Sequence, residues 1–236
     1  MQLFYHENIE GQSVSFGAEE SRHLTKVLRK KIGDLIQVTD GKGQLATCIL
    51  EEISSRGARL QIKEKTLSPK DDFEIHLIIA PTKSPDRMEW MIEKATEIGF
   101  HKLTLIESEN SERHRIKTDR LEKKMISACK QSLKFHFPEI SPFASFEEML
   151  NTSQSFDGQK FIAYVDEQND QHLFGLAQPH GKYWILIGPE GDFSKKEIDE
   201  ALALGFEPVS LGKSRLRTET AGLAAVHILN LVQEKA

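Results

Sequence analysis

The chain has 236 residues, of which 39% are apolar and 28% charged, and its formal net charge at pH 7 is -5. This composition is typical of a soluble globular protein and excludes a disordered chain. No apolar run approaches 18 residues, the first residues lack a basic segment followed by an apolar one, and Cys48 and Cys129 are far apart. We therefore expect a cytoplasmic protein with no membrane span, no secretory signal, no disulfide framework and no bound metal.

Positive charge is concentrated near the N-terminus. Residues 1–70 hold 11 lysines and arginines against 9 acidic residues, whereas the rest of the chain holds 20 against 27. The segment 22–31 contains no acid and five cations: Arg22, Lys26, Arg29, Lys30 and Lys31. Because salt screens charges beyond about 10 Å, such a segment can bind RNA phosphates even in an acidic protein. Basic runs are also common on solvated faces, and the run alone does not decide between these readings.

The first 69 residues have the pattern of short strands. Apolar runs flank Asp40 and Gly41, which predicts a hairpin, and 58–67 alternates between apolar and polar residues. We expect a small β-barrel with one helical segment, 21–31. The expected apolar stripe of that segment consists of Leu24, Val27 and Leu28.

A charged Ser-Pro linker, 67–72, precedes a region in which strands alternate with helices. We predict strands at 73–81, 102–108, 159–167, 183–191 and 208–212. We predict helices at 84–99, 120–133, 194–206 and 218–232. Ser84, Pro85 and Gly99 are expected at the ends of the first helix, and Ser194 with Glu197 forms a capping box. The alternation indicates an α/β domain with a mostly parallel sheet over 72–236.

Two connections from a strand to a helix are rich in polar and backbone groups. The first contains Gly188, Pro189, Glu190 and Gly191, and the second spans 211–222. Ligands bind at such strand ends because backbone amides and helix N-termini are exposed there. A tight turn explains the first connection equally well.

The second connection, LGKSRLRTETAG, is dense in polar side chains. Arg215 and Arg217 suit contacts to RNA or carboxylates, Thr218 is the expected N-cap, and Glu219 falls in the first helical turn. Capping and solvated surface positions account for the same residues. Two such loops at one sheet edge favour a shared site.

Five segments together resemble the RsmE family of ribosomal RNA uridine N3-methyltransferases, which belong to the SPOUT class. They are RHLTKVLR (22–29), DRMEWMIEKATEIGF (86–100), SER (111–113), ILIGPEGDFSKKEI (185–198) and LGKSRLRTETAGLAA (211–225). The match covers nearly the whole chain in order. One departure is Asp192, where the family commonly has a glycine, so a positive φ would cost more there. A second is the stretch 130–140, where relatives often have a glycine after Gln-Ser.

The resemblance implies an N-terminal PUA-like β-barrel over 1–69 and a SPOUT domain over 72–236 with a deep C-terminal trefoil knot. It also implies a homodimer and S-adenosylmethionine as the cofactor. The implied cofactor-binding residues are Leu186, Gly188, Pro189, Glu190, Gly191, Leu211, Gly212, Leu216, Arg217 and Thr218.

The reaction implied is transfer of a methyl group to uracil N3 in small-subunit (16S) ribosomal RNA. It requires removal of the N3 proton, for which Glu219 or Glu190 is the candidate acceptor, and Arg217 is the candidate group to stabilise the uracil anion. The candidate RNA-binding residues are Arg22, Lys26, Arg29, Lys30 and Arg113. Two alternatives stay open: an RNA-binding module without catalysis, and a methyltransferase for another base or for transfer RNA.

Overall fold

A computed structural model of the chain describes residues 2–113, 117–164 and 170–235. Its contacts divide the chain into two compact units. The first comprises Met1–Lys70 and Ile126–Phe137, and the second comprises Asp71–Met125 and Pro138–Ala236. None of the helices in the described residues is long and apolar enough to cross a lipid bilayer.

The first unit contains a five-stranded sheet. Its strands are β1 (Leu3–Tyr5), β2 (Ser13–Gly17), β3 (Leu35–Thr39), β4 (Gln44–Ile53) and β5 (Gly57–Leu67). The order is β1-β3-β4-β5-β2, with β1 parallel to β3 and the other pairs antiparallel. Because β1 and β2 lie at opposite edges of the described sheet, the predicted barrel is a half-barrel. The hairpin at Asp40 and Gly41 is confirmed: Gly41 has φ 70°, and Asp40 Oδ1 accepts hydrogen bonds from two backbone amides of the turn.

The predicted helical segment is a short α-helix that continues as a π-helical turn. Helix α1 (Ala18–Arg22) is followed by the π turn His23–Val27, in which the Leu28 amide donates to the His23 carbonyl. The wider turn rotates Val27 to the surface, where it is 67% exposed, so its assignment to the apolar stripe was wrong. Leu24 is fully buried and Leu28 packs against the same core. The helical run stops before Arg29, which has φ 55°.

The second unit is an α/β fold with a six-stranded, entirely parallel sheet. Its strands are β6 (Glu74–Ile79), β7 (Lys102–Glu107), β8 (Glu139–Ser145), β9 (Gln159–Ala163), β10 (Lys182–Ile187) and β11 (Glu207–Val209), in the order β11-β9-β10-β6-β7-β8. The parallel sheet was predicted, and its central strands are buried apolar runs. Residues 165–167 of the predicted strand 159–167 lie outside the described residues.

Six helices in the described part of the chain accompany this sheet. They are α2 (Pro85–Ile98), α3 (Asp119–Ser132), α4 (Phe146–Ser153), α5 (Leu173–Leu176), α6 (Lys195–Ala203) and α7 (Thr218–Val232). The capping box of Ser194 and Glu197 is confirmed, with both of its hydrogen bonds formed. Ser84 is the N-cap residue of α2 as predicted, but its side chain makes no capping hydrogen bond. Thr218 was predicted as the N-cap of α7; that position is Arg217, and Thr218 is the first helical residue.

Candidate active site

Four parallel strands end side by side. Ile79 of β6 pairs with Ile187 of β10, Ile187 with Ala163 of β9, and Ala163 with Val209 of β11. Each residue is the last of its strand. Adjacent strands are about 4.8 Å apart, so the loops after β10 and β11 begin only about 10 Å from each other. The connections after β6, β10 and β11 therefore leave one edge of the sheet together.

The loop after β10 is a tight turn. The Asp192 amide donates to the Pro189 carbonyl, and the Asn110 side-chain amide donates to the Asp192 carbonyl at 3.1 Å. Gly188 and Pro189 are buried, whereas Glu190 and Gly191 are exposed. Leu186 lies within β10 with its side chain fully buried in the core, so only its backbone is available to a ligand.

Asp192, which replaces the family glycine, adopts the left-handed conformation with φ 64°. Its carboxylate accepts a hydrogen bond from the Phe193 amide at 2.8 Å. This local bond offsets part of the cost of a positive φ, as is usual for aspartate. The turn therefore forms without the glycine.

The loop after β11 is more open. Leu211 and Leu216 are half-buried, and Gly212 is exposed with φ 126°. A side chain at Gly212 would meet nothing within 4 Å, so the space beside the backbone is free. Arg217 is exposed and makes no side-chain capping hydrogen bond, which leaves the first amides of α7 available to an anion.

Glu219 is the most unusual side chain of this edge. It is 5% exposed, and its Oε1 lies 3.7 Å from Arg87 Nε. Its other carboxylate oxygen, Oε2, is buried and has no hydrogen-bond partner among the described residues. A buried acceptor without a donor is costly and calls for a functional explanation.

The other candidate carboxylate has different surroundings. Glu190 is exposed, and its Oε1 accepts a hydrogen bond from the Lys83 amide at 3.3 Å. The Lys83 carbonyl in turn accepts from Arg113 Nη2 at 2.9 Å, and Lys83 Nζ pairs with Glu112. The connection between β6 and α2 thus contacts Glu190 through Lys83, and the first turn of α2 contacts Glu219 through Arg87.

Sequence reasoning missed Lys83 and Arg87. The signal was available, since both residues follow a buried strand and flank Ser84, the N-cap of α2. The carboxyl ends of parallel strands share one edge, so this connection belongs with the loops after β10 and β11.

The cations predicted to bind RNA in the first unit lie on one segment. Arg22, Lys26 and Arg29 are exposed, and Lys30 is half-buried with its Nζ donating to the Leu35 carbonyl at 3.4 Å. Three exposed apolar side chains accompany them: Val27, Ile32 and Leu35. Arg113 belongs to the second unit and contacts Lys83.

The chemistry of this edge suits S-adenosylmethionine. The first amides of α7 fit the carboxylate of this ligand. The open backbone at Gly212 admits a close approach. Two cavities of about 580 and 590 Å³ lie on the second unit, and neither is lined by the residues of the two loops or by Glu219. Within the described ranges, no group of three or more His, Cys, Asp and Glu side chains is placed to hold a metal ion.

Comparison with known protein families defines the class of protein to which the chain belongs. Residues 69–230 match the RNA methyltransferase domain family, and residues 16–63 match the RNA methyltransferase PUA domain family. The half-barrel followed by the parallel α/β domain is therefore an RNA methyltransferase PUA domain followed by an RNA methyltransferase domain.

Individual relatives identify the family within this class. A probable rRNA-methyltransferase from Porphyromonas gingivalis is 42% identical, with 99% of both chains covered and a TM-score of 0.92. Ribosomal RNA small subunit methyltransferase E from Neisseria gonorrhoeae, solved bound to S-adenosyl methionine, is 30% identical over 96% of this chain and 95% of that one, with a TM-score of 0.84. The Bacillus subtilis (strain 168) protein of that name is 26% identical over 95% and 92% of the two chains. The chain belongs to the RsmE family of RNA methyltransferases.

Proposed function

We propose that this protein transfers a methyl group from S-adenosylmethionine to N3 of a uridine in small-subunit (16S) ribosomal RNA. The observation that carries the proposal is the buried, unpartnered Glu219 oxygen at the edge where the two backbone-rich loops begin. The relative from Neisseria gonorrhoeae, whose structure contains S-adenosyl methionine, supports the same cofactor for this chain.

The bound cofactor supplies a methyl group already activated by the sulfonium. The protein must therefore position the uracil and accept its N3 proton. We assign the proton to Glu219 Oε2, since this oxygen is buried and unpartnered among the described residues, whereas Glu190 is exposed and hydrogen-bonded to Lys83. Arg87 compensates the charge of Glu219 at Oε1. The exposed Arg217 stabilises the anion that develops at uracil O2 or O4.

The cofactor contacts follow from the loops. We propose that the backbone of Leu186, near the end of β10, contacts the cofactor together with the first loop, which comprises Gly188, Pro189, Glu190 and Gly191. The second loop contributes the remaining predicted residues: Leu211, Gly212, Leu216, Arg217 and Thr218. Uracil N3 is inaccessible in a base pair, so the target is a single-stranded or flipped nucleotide.

RNA binding is proposed for the first unit. Arg22, Lys26, Arg29 and Lys30 would contact phosphates, and Arg113 would contribute from the second unit. We place the domain boundary between 69 and 72, where the match to the RNA methyltransferase domain family begins.

Three further properties belong to the proposal. We expect the C-terminal segment to form a trefoil knot. The strand order supports this expectation, because β9 lies between β10 and β11 although it precedes both in the chain. A homodimer is favoured by the exposed apolar side chains of Trp90 and Leu231, on the packed helices α2 and α7. A substrate in the small ribosomal subunit places the protein in the cytoplasm.

The deciding experiment is a methylation assay with the full chain. Labelled S-adenosylmethionine is incubated with naked 16S RNA or with assembled small subunits, and the product nucleoside is mapped by mass spectrometry. N3-methyluridine at a single position is the expected product. RNA binding without transfer would indicate an RNA-binding module, and another methylated nucleoside would indicate a different target base. Size measurement at micromolar concentration tests the dimer, which a monomer would contradict.

A further inference from the structure

The second unit has a groove that the methyl-transfer chemistry does not use. It lies between α2, α3 and β8 and has a volume of about 580 Å³. We call it the α2–α3 groove. Its apolar floor comprises Met88, Leu121 and Phe143. Met88 and Leu121 are buried, whereas Phe143 is half-buried and presents part of its ring to the groove.

The rim of the α2–α3 groove is cationic. Arg113, Lys117 and Arg120 line it, whereas Glu89 is the one acid among the described residues of its lining. Arg120 Nη2 contacts Glu89 Oε1 at 2.8 Å, which holds this guanidinium at the rim. Arg113 is held by its hydrogen bond to the Lys83 carbonyl. The net positive charge of the rim favours an anionic ligand.

An apolar floor with a partly exposed aromatic ring, beneath a cationic rim, suits a ligand with a flat body and negative groups. A nucleotide has this chemistry, because its base stacks on an aromatic ring while its phosphate pairs with arginine and lysine. S-adenosylmethionine does not, since its sulfonium and ammonium outnumber its single carboxylate and the rim would repel the net positive charge.

The groove is connected to the proposed active site through one residue. Lys83 accepts the Arg113 hydrogen bond at its carbonyl and donates its amide to Glu190 of the loop after β10. A nucleotide in the groove would therefore lie close to a base bound at the sheet edge. This location favours a nucleotide of the same RNA strand over a free mononucleotide.

We propose that the α2–α3 groove binds a second, unmethylated nucleotide of the substrate RNA, with its base against Phe143 and its phosphate at Arg113, Lys117 and Arg120. The assignment rests on the proposed function for its substrate class. It adds a subsite that selects and holds the strand beside the target uridine.

The test uses the full chain and a single-stranded oligoribonucleotide, a uridine-rich strand of roughly ten nucleotides. Phe143→Leu keeps an apolar floor and removes the ring, and Lys117→Gln removes one exposed rim charge. The matched controls are Phe174→Leu, at a more exposed ring outside the groove, and Lys123→Gln, at an exposed lysine of α3 that does not line the groove. Thermal unfolding of each variant confirms that it is folded.

The expected result is a weaker RNA complex in the groove variants alone. Loss of one base stack corresponds to a five- to hundred-fold rise in Kd for Phe143→Leu, or about 1–3 kcal/mol at 1.4 kcal/mol per tenfold. The variant should raise KM for RNA more than it lowers kcat, and S-adenosylmethionine affinity should be unchanged. Ultraviolet crosslinking of a 5-iodouridine strand to the wild-type protein should label the peptide that contains Phe143.

Two outcomes would overturn the groove assignment without touching the methyl-transfer proposal. One is equal RNA affinity in the groove variants and their controls, with no crosslink at Phe143. The other is displacement of the oligonucleotide from the groove by uridine monophosphate at equal concentration, which would indicate a free nucleotide as the occupant. If the wild-type protein bound RNA in the groove but did not methylate the RNA, that result would instead count against the proposed function.

Discussion

Replacing Glu219 by glutamine tests the proton acceptor directly. The change keeps the size of the side chain and removes its charge, in a position that is 5% exposed. Glutamine cannot accept the N3 proton, although it still fills the space beside Arg87. The variant therefore separates the chemical role of the carboxylate from its packing.

The structure allows the lost attraction between Glu219 and Arg87 to be compared with the loss of a general base. At the 3.7 Å separation of Glu219 Oε1 and Arg87 Nε, two unit charges attract by about 1 kcal/mol in water and about 4.5 kcal/mol at an effective dielectric of 20. The Arg87 side chain is 44% exposed, so solvent screening moves the contribution toward the lower figure, about 1–2 kcal/mol. Loss of a general base, in contrast, lowers kcat by about 100- to 10,000-fold.

The assay measures kcat for methyl transfer to small-subunit RNA beside the free energy of unfolding in urea. Glu197→Gln is the matched control, because Glu197 is also a buried glutamate in the first turn of a helix. Its oxygens accept hydrogen bonds from two backbone amides, those of Glu109 and of Ser194, the N-cap of α6. We expect the control to lose stability and keep kcat. A folded Glu219→Gln protein with kcat within about threefold of wild type would refute the assignment of Glu219 as the base.

Four further predictions concern binding, acid stability, thiol reactivity and backbone strain. Neutralising Arg22 and Lys26 with glutamine should flatten the slope of log affinity for RNA against log salt by about 1.4–1.8, and an unchanged slope would count against phosphate contacts. Burial lowers the pKa of His76 from 6.5 to about 3, so its folded-state pKa lies below the unfolded one. The stability contributed by the neutral ring is complete above pH 6.5 and is lost as pH falls toward 3, by up to about 1.4 kcal/mol per unit, and urea titrations of His76→Asn should show a shallower loss. Burial raises the pKa of the Cys129 thiol to about 12, so a disulfide reagent at pH 8 should label it only after unfolding, and rapid labelling of the native protein would contradict its burial. Asp192→Ala should destabilise the protein by about 1–2 kcal/mol and Asp192→Gly by less, because alanine loses the bond to the Phe193 amide and tolerates φ 64° poorly; the reverse order of midpoints in urea would be inconsistent with this strain.

Local patterns predicted the elements whose signals are complete within a few residues. Helix α2 begins after Ser84 with Pro85 first and ends at Gly99, where φ is 124°. The capping box at Ser194 forms within four residues, and the hairpin depends on the glycines that follow Asp40. In each case, one residue type at one position supplies the physical requirement, so the sequence alone is sufficient.

The elements that were missed have weak local signals. Strand β8 lies at the edge of its sheet and is only partly buried, so it lacks the apolar run that marked its neighbours. Helix α4 has only eight residues, and its capping box at Ser145 was overlooked. Val27 was misplaced because the π turn changes the periodicity, which an ideal 3.6-residue repeat cannot anticipate.

Only part of the candidate site was predicted, because some of its residues are far apart in the sequence. The loops at 188–191 and 211–218 carry their own signals, glycines and a dense polar stretch, and were found. Arg87 and Lys83 lie more than 100 residues earlier, and only the pairing of Ile79 with Ile187 brings their connection to the same edge. Once that register is known, a buried carboxylate at Glu219 requires a cation nearby, and Arg87 lies 3.7 Å from it. Strand register, rather than any motif, therefore decides which side chains surround the proposed proton acceptor.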